Sequence, residues 1–158
     1  PLSRPGPPVV FHSPTNSRLK GTDAVDALCA QLAADGRIVY DRGEGLTGPQ
    51  MRERLRHADI VIDQLAIGDY GMTAVEAMAS GRVVITHIAD RVLDRLPERP
   101  PVLLATRETV ADRLRDILDD AEATADLGRR ASDYARRWHN GAASTRVLAQ
   151  FMGLEADR

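Results

Sequence analysis

Asp59-Ile-Val-Ile-Asp-Gln-Leu-Ala-Ile-Gly-Asp-Tyr-Gly-Met-Thr-Ala-Val-Glu-Ala-Met-Ala-Ser-Gly81 decides the fold. Ile60–Ile62, between two aspartates, has the length and β-branched content of a buried strand. A loop with Gly68, Asp69 and Gly71 follows, and then Met72–Ser80, rich in helix formers and stopped by Gly81. Arg82–Thr86 supplies the next β-branched run. The order is strand, glycine loop, helix, strand. A helix entered from such a loop exposes unpaired backbone N–H groups at the positive end of its dipole, where phosphate binds well. Glu76 lies about one turn further in, within reach of a sugar attached to that phosphate. Most such units bind nothing, and Glu76 is then a solvated helix residue.

Working outward, the same alternation continues in both directions. Val9–Phe11 forms a first strand behind Pro1–Pro8, which reads as a linker. His12–Lys20 reads as a polar loop. Thr22 is placed to cap a helix over Asp23–Ala34, with Ala24, Leu28 and Leu32 on one stripe. Arg37–Asp41 is a second strand, and Gly43–Gly48 leads into a helix from Pro49 to about His57. After the central unit, His87–Arg99 is mixed, with room for one short helix. Val102–Ala105 is another strand. Helices follow from Thr106 or Arg107 to Asp119, over Ala121–Trp138 and over Gly141–Met152. The expected fold is α/β: a Rossmann-like parallel sheet with helices on both faces, over residues 9–152, with 153–158 as a tail. Ligands of such sheets bind at the carboxyl ends of the strands.

Composition narrows the chemistry. With 158 residues, one domain with a substantial core is expected. A net charge of −2 supplies no basic field for nucleic acid or an anionic membrane, and 4% aromatics are too few for base stacking. Cys29 is the only cysteine, which excludes a disulfide framework and a thiolate metal site and fits a reducing cytoplasm. No apolar run approaches the ~20 residues of a membrane span. The four histidines are scattered, so no metal site is expected. Among 21 basic residues Lys20 is the only lysine. Coding bias accounts for the arginines; the surviving lysine marks a place where a compact ammonium does what a guanidinium fork cannot.

Gly43-Glu-Gly-Leu-Thr-Gly48 is a literal G-x-G-x-x-G between a strand and a helix, with Asp63 at the end of the next strand. A nicotinamide site on this loop is one alternative. Its place on the second strand, the short helix behind it and the missing N–H of Pro49 count against it.

Two further motifs carry a family resemblance over residues 9–150. Lys20-Gly-Thr-Asp23 and Tyr70-Gly-Met-Thr-Ala-Val-Glu-Ala-Met-Ala-Ser-Gly81 resemble the lysine-glycine and F-G-x-x-x-x-E-A-M-A-x-G signatures of the C-terminal half of GT-B glycosyltransferases, the group 1 (family 4) retaining enzymes. Trp138-His139 resembles the family's closing aromatic-histidine pair. The resemblance implies a nucleoside-diphosphate sugar as donor and an N-terminal acceptor domain as partner, with no metal or other cofactor. It implies that Lys20 and Arg18 hold the diphosphate and stabilise the leaving group. Gly71, Met72 and Thr73 would bind the diphosphate with their backbone, with Tyr70 beside them. Glu76 would accept from the ribose, Gly45 and Leu46 would lie near the base, and Asp69 near the sugar. Two positions depart from the family pattern. Gly68 stands where the family has its first glutamate, and Thr15 where it has its diphosphate arginine; Asp69 and Arg18 are the nearest replacements. The resemblance also implies a cytoplasmic protein, peripheral at a membrane in some relatives, and little transfer activity from this half alone. The other alternative is a non-catalytic α/β module in which those changes mark lost chemistry.

Overall fold

The structure, a computed structural model, describes residues 5–153. Residues 1–4 of the expected linker and 154–158 of the expected tail lie outside the described residues. The strands are β1 (Val9–His12), β2 (Val39–Arg42), β3 (Ile60–Ile62), β4 (Val83–Thr86) and β5 (Leu103–Leu104). The helices are α1 (Ser17–Lys20), α2 (Thr22–Ala34), α3 (Gly48–His57), α4 (Met72–Ala79), α5 (Asp90–Leu93), α6 (Val110–Asp119), α7 (Ala121–Trp138) and α8 (Ala142–Phe151). All pairings are parallel, in the order β2-β1-β3-β4-β5. This is the expected Rossmann-like α/β sheet.

Each inner strand alternates between two cores, as a pleated strand buried on both faces must. Val10, Ile60, Ile62 and Ile85 pack with α2 and α6 residues on one side. Phe11, Val61 and Val84 pack with Leu55 of α3, Ala77 and Met78 of α4, and Ala131 and Tyr134 of α7 on the other. The sequence direction of the chain reverses about β1: β2 lies on one side of it and β3 on the other. That reversal opens a crevice at the carboxyl ends of β1 and β3, the place where parallel sheets take their ligands.

Three local expectations are corrected. The loop His12–Lys20 contains a helical turn, α1: the Asn16 side chain accepts from the Leu19 N–H at 3.1 Å and starts it. Thr22 does not cap α2. Gly21, at φ +68°, occupies the cap position, and the Thr22 hydroxyl turns to His12 instead. The second strand begins at Val39 rather than Arg37, because the Arg37 N–H still closes the end of α2 on the Leu32 carbonyl at 2.9 Å.

Candidate functional site

The crevice is built by the segments after β1 and β3. His12, the last residue of β1, is fully buried. Its Nδ1 donates to the Ile62 carbonyl at 2.9 Å, so its Nε2 accepts from the Thr22 hydroxyl, also at 2.9 Å. Burial, seconded by the nearby Lys20 charge, lowers the His12 pKa below its usual value and favours this neutral form. His12 thus ties the carboxyl ends of β1 and β3 to the start of α2, and with Lys20 ending α1 just before Gly21, the lysine is delivered into the crevice.

Lys20 is buried, and its ammonium forms an ion pair with Asp63, which is fully buried at the end of β3. The second Asp63 oxygen accepts from the Gly71 N–H at 3.0 Å. Asp63 is the residue of this site that sequence reading did not assign to it. The only signal for it in the sequence is an acid at the carboxyl end of the central strand, which the G-x-G-x-x-G pattern pairs with the glycine loop after β2. Asp59 sits at the opposite end of β3, where its carboxylate accepts from the Val9 N–H at 2.9 Å and joins two strand starts.

The two glycine loops are chemically different. Before α3, Gln50 accepts from the Thr47 N–H at 2.9 Å and from its hydroxyl at 2.8 Å, so the helix start carries its own capping box. Gly43 in that loop is buried under Leu46: a Cβ there would stand 2.6 Å from the Leu46 side chain and 3.1 Å from Phe11. Its glycine serves packing, and Asp63, the acid of that fingerprint, is spent on Lys20 and Gly71. Before α4, Gly71 is the cap residue and contributes no side chain to the helix start. The backbone N–H groups of this helix end are therefore open to an outside acceptor.

Of the residues expected around a donor, Lys20, Gly71, Met72 and Thr73 converge at this crevice. Met72 is 72% exposed, a large apolar side chain held in water at the helix start. Glu76 is exposed on α4, with no hydrogen bond or ion pair from its carboxylate among the described residues. Arg18 is exposed on α1 and forms no ion pair among the described residues. Residues two apart on a helical turn do not share a face, so burying Lys20 leaves Arg18 outside. Asp69 is exposed and accepts from the Tyr70 N–H at 2.8 Å. Gly45 is exposed at φ +60°, and half-buried Leu46 packs on the core that contains Phe11.

Tyr70 is held from the far end of the chain. Its hydroxyl lies 3.2 Å from His139 Nε2 and 3.4 Å from the Tyr134 hydroxyl, and the Tyr70 and His139 rings meet edge to face at 5.7 Å. Glu98 accepts from the Trp138 indole and from Arg137, each at 3.0 Å. The aromatic-histidine pair therefore fastens the glycine loop and the segment before β5 to the end of α7.

Gly68 takes φ +80°, and a Cβ there would stand 3.1 Å from the Ala89 side chain. Its carbonyl accepts from the Ala89 N–H at 3.0 Å. A glutamate at 68 would be strained at this positive φ and would press on Ala89, so glycine suits this loop. Cys29 is buried, and burial pushes its thiol up to about 12, which makes it inert. Among the described residues, no three His, Cys, Asp or Glu side chains come together as a metal site, and no helix is long and apolar enough to cross a membrane.

Solved structures share this architecture. HepE of Anabaena, solved in complex with UDP and glucose, superposes with a TM-score of 0.72 at 16% identity, over 94% of this chain and 48% of its own. Sucrose-phosphate synthase of Thermosynechococcus elongatus gives 0.69 at 18% identity, over 96% and 45%. The C-terminal domain of LpcC, a group 1 family glycosyltransferase of Francisella tularensis, gives 0.59 at 16% identity, over 83% and 84%. The chain spans about half the length of the first two and most of the isolated C-terminal domain. The fold is that of one half of a GT-B glycosyltransferase. No protein-family profile and no curated protein sequence matches the chain.

Proposed function

We propose that this chain is the donor-binding half of a retaining glycosyltransferase that transfers a hexose from a nucleoside diphosphate to an acceptor hydroxyl. The observation that carries the reading is the uncapped start of α4 beside buried Lys20, at the switch point of the sheet. A diphosphate at that helix end gains backbone donors, a favourable dipole and an ammonium. As the sugar–phosphate bond breaks, the same groups donate hydrogen bonds to the departing oxygen and stabilise the charge that grows on it. Lys20 and the helix start would do this without a metal, with Arg18 swinging in from solvent. Met72 and Thr73 supply the N–H groups, while Gly71, expected among them, has its N–H held by Asp63 and brings the chain to the helix start; Glu76 accepts from the ribose, Asp69 and Tyr70 border the sugar, and Gly45 and Leu46 border the base. The retaining course and the hexosyl donor rest on motif resemblance. UDP in the structure of HepE supports a nucleotide-sugar ligand. An N-terminal acceptor domain would complete the enzyme, since the chain matches only half of HepE.

A thermal-shift panel with UDP, GDP, ADP, TDP, their sugars and NAD tests this. A ligand bound only by the folded state raises the melting temperature by mass action. A shift with one nucleoside diphosphate and its sugar, and none with NAD, is expected. A shift with NAD alone would replace the reading with the nicotinamide site on Gly43–Gly48.

A further inference from the structure

Asp63 does two things at once. It is fully buried at the end of the central strand, and its own N–H is pinned to the Ile85 carbonyl at 2.9 Å. One oxygen holds the Lys20 ammonium, and the other holds the Gly71 N–H at 3.0 Å. Lys20 comes from the segment after β1, and Gly71 is the cap residue of α4 after β3. No backbone hydrogen bond joins these two segments directly among the described residues. We propose that Asp63 is the positioning residue of the donor site: one rigid carboxylate sets the Lys20 ammonium against the start of α4, and so sets where a diphosphate binds. The inference rests on the donor-binding reading above.

The chemistry supports a positioning role. A lysine side chain is long and flexible, and an ammonium without a fixed partner samples many rotamers. An ammonium has three donors, and Asp63 engages one, leaving two for phosphate oxygens. The pair is neutral as a unit. Attraction for a diphosphate therefore depends on aimed donors and the α4 dipole, and geometry matters more than bulk charge. Asparagine at 63 cannot serve both partners, because one of its two heads is itself a donor.

The test is calorimetric titration of the full chain with UDP, GDP, ADP and TDP and with the four matching nucleosides. In the wild type, one diphosphate is expected to bind about tenfold or more tighter than its nucleoside. Asp63→Asn is expected to cut that ratio by about tenfold with the nucleoside affinity unchanged. The double variant Lys20→Ala/Asp63→Asn is expected to bind the diphosphate no more weakly than Lys20→Ala, because Asp63 acts through the lysine. Equal losses for diphosphate and nucleoside would reduce Asp63 to a structural residue. A gain in diphosphate affinity would make it a competitor for Lys20; an unchanged ratio would remove any role. Each of these three results overturns the proposal and leaves the donor site standing. No diphosphate preference in the wild type overturns the donor reading, and the proposal with it. If Asp63→Asn does not fold, amide exchange at Gly71 in the wild type decides: protection kept at saturating diphosphate supports the proposal, and faster exchange overturns it.

Discussion

Gly128 of α7 lies against Gly81, the glycine that ends α4: a Cβ on Gly128 would stand 2.5 Å from the Gly81 carbonyl oxygen. Both sides of this contact are backbone, so nothing flexible can give way. The contact lets α7 close down on α4 and β4, which places Tyr134 and His139 against Tyr70. Alanine normally stabilises a helix relative to glycine by about 1 kcal/mol. Here Gly128→Ala is expected to destabilise by about 1–3 kcal/mol net, because overpacking outweighs the helix gain. Urea unfolding checks the sign; a more stable variant would show that the helix can back away.

Lys20→Ala leaves the Asp63 carboxylate buried without its cation. Removing one partner of a buried pair costs about 3 kcal/mol. The variant is therefore expected to lose stability as well as diphosphate affinity, while a bare nucleoside binds as in the wild type. Unfolding and titration of the same preparation separate the two effects. Equal losses of diphosphate and nucleoside binding would remove the phosphate role of Lys20.

Glu76 offers the cleanest test of the ribose contact. Its side chain is exposed, so Glu76→Ala is expected to change stability by no more than about 0.5 kcal/mol. Nucleotide-sugar affinity is expected to fall about tenfold or more, the worth of a hydrogen bond to a charged group. Unchanged affinity in a titration would take Glu76 out of the site.

His12 makes stability depend on pH in a definite direction. Burial holds its folded pKa below the ordinary value of 6.5. Lys20 nearby adds to the lowering, while the Ile62 carbonyl, Asp26 and Asp63 oppose it. Above 6.5 the ring is neutral in both states and the full stability is present. As pH falls through 6.5, the unfolded chain takes up a proton that the folded chain resists, so stability is lost at up to about 1.4 kcal/mol per pH unit. Urea unfolding between pH 7.5 and 5 is expected to show a shallower slope for His12→Asn, which can still donate to Ile62. Identical slopes would place the titration elsewhere.

The parts of the site legible in the sequence are those a short segment encodes. The open start of α4 follows from Gly71 and the helix formers behind it, and Lys20 stood out as the single lysine. Closeness in sequence groups Arg18 with Lys20 on one loop. The helical turn started by Asn16 puts them on different sides. The motif makes Tyr70 a ligand neighbour, while its hydroxyl also answers to His139, 69 residues away. Gly43–Gly48 matched a phosphate-binding pattern by spelling alone. Only the seating of Leu46 on Phe11 shows why a glycine stands there.

Apart from the helical turn α1, the alternation of strands and helices, their parallel pairing and the face that carries the loops follow from sequence alone. Periodicity, glycine stops and β-branched runs act between near neighbours, and a βαβ chain has few ways to bury what they leave apolar. The pairing of Lys20 with Asp63, across 43 residues, belongs to the tertiary structure. So do the contact of Gly128 with Gly81 and the closing of Gly68 by Ala89. Each depends on where two distant segments meet to within an ångström. Distance along the chain carries no record of that, because it is the packing of both cores on the sheet that decides it.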